Sequence, residues 1–170
     1  IGVNDIAGTG FYSSEYLVGS YGLGNLDLHF GLGWGSLNGS KDQLKNPLTY
    51  LSDSFASRPG FLGDGTDKGG QFQPSRYFSN ETVSPFYGFS YSFNKNMLFK
   101  LEKDTTVTNG LIDYETPKSN LSFSIEYNIN SNFTVAASKE RGNFFSVRFI
   151  YKQNAASARK TYKYKKVDSY

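Results

Sequence analysis

Residues 26–36, Leu26-Asp27-Leu28-His29-Phe30-Gly31-Leu32-Gly33-Trp34-Gly35-Ser36, set the reading of this chain. Leu26, Leu28, Phe30, Leu32 and Trp34 are apolar, and Asp27, His29, Gly31, Gly33 and Gly35 stand between them. Side chains on a strand alternate between its two faces, so the segment has one greasy face and one polar face. The same beat recurs at Tyr87, Phe89, Tyr91, Phe93, at Leu121, Phe123, Ile125, Tyr127, and at Phe145, Val147, Phe149, Tyr151. Function turns on what the greasy faces touch, a protein core or lipid.

Composition narrows that choice. The 170 residues suit one domain and hold 15 Phe, 13 Tyr and 18 Gly, while the mean hydropathy is only −0.49. Aromatic-rich strands in a chain that is hydrophilic on average fit a transmembrane β-barrel, in which apolar and polar residues alternate. No run approaches the ~20 apolar residues of a membrane-spanning helix. With no cysteine, disulfides and thiolate metal sites are excluded. The net charge of +3 names no partner. Arg159, Lys160, Lys163, Lys165 and Lys166 read as a solvated tail, and no nucleic-acid partner is expected without a basic surface on the body as well.

The expected fold is all-β: an antiparallel up-and-down meander of about 7–8 strands, a transmembrane outer-membrane β-barrel or a segment of a larger one. Strands are expected at about 1–6, 13–21, 26–36, 84–94, 97–106, 120–128, 132–140 and 144–153. Residues 1–154 form the barrel segment, with a long loop at 38–83, and 155–170 a basic periplasmic tail or linker. Within the loop, 47–55 reads as a short helix capped by Asn46 with Pro47 in its first turn. A meander reverses at every turn, so its connections fall alternately on two sides. On one side, 22–25, 94–96 and 129–131 are all short. On the other, 7–12, 38–83 and 107–119 are longer and only 141–143 is short. Outer-membrane barrels sort their connections in this way, with short periplasmic turns and longer extracellular loops. The sorting favours lipid.

The polar face then becomes the lumen, with Asp27, His29, Lys100, Glu102, Glu126 and Arg148 facing it. His29 is the one histidine, and Asp27 two residues away is poorly placed to orient it, so no catalytic residue is assigned. The carboxylates Glu102 and Glu126, or Asp104, Asp113 and Glu115, follow no spacing of an acid–base pair. Asp64-Gly65-Thr66-Asp67 lacks the full calcium-loop pattern, and the glycine repeats lack a nucleotide-binding context. No cofactor and no metal are expected. In the long loop, Phe72, Arg76, Tyr77 and Phe78 lie off the alternation and are the candidate glycan contacts.

Several landmarks carry a family resemblance. Gly2-Val3-Asn4-Asp5-Ile6-Ala7-Gly8-Thr9-Gly10, Tyr12-Ser13-Ser14-Glu15-Tyr16-Leu17 and Leu32-Gly33-Trp34-Gly35 resemble the YjbH-like (GfcD-type) family. Asn46-Pro47-Leu48, Lys68-Gly69-Gly70-Gln71-Phe72 and Val83-Ser84-Pro85-Phe86-Tyr87-Gly88 look like later landmarks of it. The resemblance runs over about 1–127, and the last two strands fit by pattern only. It implies an outer-membrane β-barrel linked to exopolysaccharide or capsule production, typically a longer lipoprotein, and it supplies no catalytic residues. This chain is accordingly expected to be one segment of a longer chain, non-enzymatic, in the bacterial outer membrane. Its expected partners are membrane lipid, surface polysaccharide, periplasmic export proteins and the rest of that chain. A general porin and a soluble glycan-binding β-sandwich are the alternatives.

Overall fold

Alternating sequence becomes a single antiparallel meander in the computed structural model, which describes residues 1–8, 12–60, 72–107 and 117–153. The strands are β1 (Gly2–Asn4), β2 (Ser14–Leu23), β3 (Leu26–Gly35), β4 (Leu44–Lys45), β5 (Thr82–Ser92), β6 (Met97–Lys103), β7 (Leu121–Asn128), β8 (Phe133–Glu140) and β9 (Phe144–Tyr151). Apart from β4, which pairs with one end of β5, each strand pairs with its neighbours in the order β1-β2-β3-β5-β6-β7-β8-β9. All eight expected strands are present. The two-residue β4 is an addition that the sequence did not announce.

Register keeps one parity on one face across the whole sheet. Leu26 pairs with Tyr91, Tyr91 with Phe99, Phe99 with Ile125, Ile125 with Ala137 and Ala137 with Val147. On the opposite face Asp27 pairs with Ser90, Ser90 with Lys100, Lys100 with Ser124, Ser124 with Ser138 and Ser138 with Ser146. A slip of one residue anywhere would mix the two sets. The apolar and polar faces are therefore properties of the sheet, not of single strands.

Turn chemistry holds the register. Gly24 has φ +60° in the two-residue connection between β2 and β3, a backbone that glycine adopts without strain. In the next short turn Asn94 Oδ1 accepts from the Asn96 and Met97 amides, and Asn130 Oδ1 does the same for Asn132 and Phe133 one hairpin later.

Some expected boundaries move. The first strand stops at Asn4 because Asp5 adopts φ 57°. The sixth stops at Lys103 because the chain beyond it turns to the long loop: the Gly39 amide donates to the Thr105 carbonyl and the Val107 amide to the Ser36 carbonyl. The helix expected over 47–55 resolves into two 3-10 turns, Pro47–Tyr50 and Asp53–Phe55, capped by Asn46 and Ser52. With Pro74–Arg76 these are the helical turns among the described residues.

The sheet is open rather than closed as a barrel. Among the described residues the outer edges of β1 and β9 have no strand partner. Little of it is buried: among the described residues the buried apolar side chains are Trp34, Val83 and Ala136. No helix among the described residues is long and apolar enough to cross a membrane. The proposed basic tail, and the Lys68–Phe72 landmark up to Gln71, lie outside the described residues.

Candidate functional site: the polar face and the loop that caps it

Small residues make the polar face shallow, and charges of both signs stand up from it. Lys100 on β6 and Arg148 on β9 converge on one carboxylate, Glu126 on β7. The Nζ of Lys100 lies 2.8 Å from Glu126 Oε1, and Nη2 of Arg148 lies 3.3 Å from the same oxygen. Glu126 is the least exposed of the three, so the pairs are partly screened from water. Serines fill the space between. Ser138 Oγ lies 2.6 Å from Ser146 Oγ, and both bond Glu140 Oε1. Three residues expected on this face, Lys100, Glu126 and Arg148, are thus joined.

The other three are more dispersed. His29 Nδ1 lies 2.8 Å from Ser20 Oγ across the β2–β3 pair. Asp27 sits near the hairpin end of β3, against Gly22. Glu102, on β6, faces across the Gly88 position toward His29, since His29 pairs with Gly88 and Gly88 with Glu102.

The long connection caps both faces at one end of the strands. On the apolar side its organiser is Glu15, which is fully buried. Arg58 grips that carboxylate with two hydrogen bonds, Nη1 to Oε2 at 2.7 Å and Nη2 to Oε1 at 2.9 Å. The Phe78 amide donates to Oε2 at 3.0 Å, and Arg58 also donates to Ser13 Oγ and to the Arg76 carbonyl. Such a paired, hydrogen-bonded arrangement is what makes a buried carboxylate tolerable. Gly35 lies beside it with φ +63°, and a Cβ there would meet the Ser13 carbonyl at 2.3 Å. Trp34 completes the cap, edge-on to Phe78 at 5.2 Å between ring centres. Asn46, also fully buried, donates to the Phe78 and Asn80 carbonyls and accepts from the Leu48 amide.

The four loop residues expected to touch glycan divide two and two. Arg76 is buried and donates to the Pro59 carbonyl at 2.9 Å. Burial, with Arg58 adding to it, holds the Arg76 guanidinium below its ordinary pKa, and Glu15 opposes the shift. Phe78 has φ 58° and turns its ring inward onto Trp34. Phe72 stays exposed, with its ring 5.9 Å from that of Tyr77, whose hydroxyl donates to the Ile6 carbonyl. The Glu15–Arg58 clasp has no counterpart in the sequence reading. Its trace was present: Glu15 shares the parity of Leu17 and Trp34, a charge where the alternation called for an apolar residue.

A family profile described as "Exopolysaccharide biosynthesis protein YbjH" matches residues 1–169, which takes in the last two strands as well as the earlier landmarks. The chain belongs to the YjbH family. A relative, the "Uncharacterized lipoprotein YjbH" of Escherichia coli (strain K12), is 31% identical over 165 residues. That alignment covers 95% of this chain and 23% of the relative, so the chain spans about a quarter of the relative's length. No solved structure matches. Several YjbH-family landmarks coincide with the cap: Glu15, Trp34, Asn46 and Val83 all lie in the quoted motifs and all are buried in it. The landmarks mark how the long connection is fastened.

Proposed function

We propose that this chain is a sector of an outer-membrane β-barrel that takes part in the export or assembly of an exopolysaccharide without catalysing a reaction. The observation that carries this reading is the bare apolar face. Leu28, Phe30, Tyr87, Phe123, Ile125, Val147 and Phe149 are all between 42% and 67% exposed. A face of this kind, spread over β3, β5, β7 and β9, is far more than a monomer in water leaves uncovered. The opposite face is small, hydroxylic and charged, which suits an aqueous interior.

Three further features support it. β2, β3 and β5 run 10, 10 and 11 residues, the length a tilted strand needs to cross a bilayer. Tyr21, Tyr91, Tyr127 and Tyr151 lie on the apolar face near the short-turn ends of their strands, as an interfacial aromatic girdle requires. The connections fall as the sequence implied, short at one end and, apart from 141–143, longer at the other. Lipid tolerates no unpaired strand edge, so the edges of β1 and β9 would pair with further strands of a longer chain. The membrane placement agrees with the word lipoprotein in the relative's name, and the polysaccharide role rests on the family description.

Single cysteines test the membrane half of the proposal, because this stretch has none of its own. In outer membranes holding the full-length protein, Ser124→Cys is expected to react with a water-soluble maleimide. Ile125→Cys is expected to resist it and to react with a bilayer-partitioning one. Equal reactivity of both toward the water-soluble reagent would reject the barrel. Deleting the gene tests the pathway half: unchanged surface polysaccharide in cells that express it would reject that part.

A further inference from the structure

We infer that the polar face carries a binding trough for uncharged sugar residues, with Phe86 as its stacking platform and Glu102 as its hydroxyl acceptor. The inference deepens the proposed polysaccharide role by placing the contact on the sheet and giving the sugar's chemical class. Two depressions lie side by side on this face. The first, of about 420 Å³, is lined by Tyr16, His29, Phe86 and Gly88, together with Glu102 and Asp104. The second, of about 370 Å³, is lined by Lys100, Ser124, Glu126 and Arg148, and again by Glu102 and Asp104. Because they share two residues, they form one furrow running across the strands. Each is the size of a small-ligand site, and together they suit an extended polymer.

Two glycines shape the first depression. A Cβ on Gly31 would fall 2.2 Å from Phe86 Cζ, so the phenyl ring lies directly over the bare backbone of β3. A Cβ on Gly88 would come within 3.2 Å of Glu102 Cγ, so the carboxylate stem leans over β5. Phe86 departs from the rule of its own face, where the other β5 residues are Thr82, Ser84, Gly88, Ser90 and Ser92. An aromatic ring among serines and glycines, beside a carboxylate, is the pair of groups a pyranose needs: a flat apolar surface for its C–H face and an acceptor for its hydroxyls. Glu102 has no hydrogen-bond or ion-pair partner among the described residues, whereas Asp104 is held by Arg141 at 3.7 Å. The unpaired carboxylate disfavours a uronate at this position and accepts a neutral ring.

Titration of the detergent-solubilised full-length protein with maltohexaose and with hexagalacturonate tests this. Maltohexaose is expected to bind. Glu102→Gln and Phe86→Leu are each expected to weaken it about fivefold or more, at unchanged unfolding temperature. Phe72→Leu, in the loop, is expected to leave it unchanged. Failure of maltohexaose to bind, tighter binding of hexagalacturonate, or indifference to both polar-face substitutions would each overturn the inference. These outcomes separate it from the pathway reading. A gene deletion that leaves surface polysaccharide unchanged rejects the pathway while the trough stands. A deletion that abolishes the polysaccharide, with maltohexaose indifferent to Phe86→Leu and Glu102→Gln, rejects the trough alone.

Discussion

The two ends of the apolar face follow opposite rules. At the long-loop end, Trp34 is 2% exposed and Val83 fully covered, beneath a cap held by Glu15 and Arg58. A few residues along the same strands, Phe30 is 56% and Tyr87 44% exposed, with the Lys103 ammonium 5.6 Å from the Tyr87 ring centre. The same parity of the same strands therefore lies under the cap at one end and, among the described residues, outside it at the other. A soluble domain would have continued the cap down the sheet, since every uncovered aromatic forfeits burial of about 25 cal/mol per Å². On the proposed reading, the cap stops where a bilayer would begin.

The sharpest way to break this contrast is at the cap. Replacing Arg58 by Ala leaves Glu15 buried without its cation, and a carboxylate so stranded costs about 3–5 kcal/mol. Loss of the lower part of the urea unfolding transition, and faster protease cleavage within 38–83, are the expected readouts. An unchanged protease pattern would mean the clasp does not hold the loop. The bare band comes next. Ile125→Arg, mid-strand on β7, is expected to cost about 2–4 kcal/mol in bilayers, and Ser124→Arg beside it well under half of that. Equal costs would erase the difference between the faces.

A smaller effect is expected at Gly31→Ala, where the new methyl group displaces the Phe86 ring, at about 1–3 kcal/mol by urea titration. Smallest is Glu126→Gln. Its pairs with Lys100 and Arg148 are partly solvated, so the loss should stay near or below about 1 kcal/mol and shrink further in high salt. A loss as large as that at Arg58 would mean the polar face is as dry as the cap.

The strands were legible because their signal is local. Period-two alternation depends on side-chain direction alone, and Asn- and Gly-bearing turns mark where it resets. Even the face on which Lys100, Glu126 and Arg148 would stand followed from counting, because register preserves parity from one hairpin to the next. The cap was not legible. Glu15 and Arg58 are 43 residues apart, and no period links a strand residue to a loop residue. The inward turn of Arg76 and Phe78 followed the same long-range constraint. Burial of a polar loop depends on which carbonyls happen to be within reach, such as Pro59 for Arg76. Phe86 was hidden by a different cause: it is an aromatic on the polar parity, in a strand whose other aromatics made it look ordinary.

The long connection also bears on the order in which this sheet assembles. The other pairings join strands near in sequence, whereas β3 must find β5 across about fifty residues, Gly33 opposite Ser84, and β4 meets β5 across about forty, Leu44 opposite Val83. Closing a loop of that length costs more entropy than any hairpin in the molecule, by an amount that grows with the logarithm of its length. Asn46 and the Glu15–Arg58 pair divide the connection into shorter ties, each anchored to a strand end or to the residues just before β5. The hairpin β2–β3 and the run β5–β9 can therefore form as separate units. On loop-closure entropy their joining is expected to be the slower step, and the buried asparagine and the buried ion pair shorten the loop that it must close.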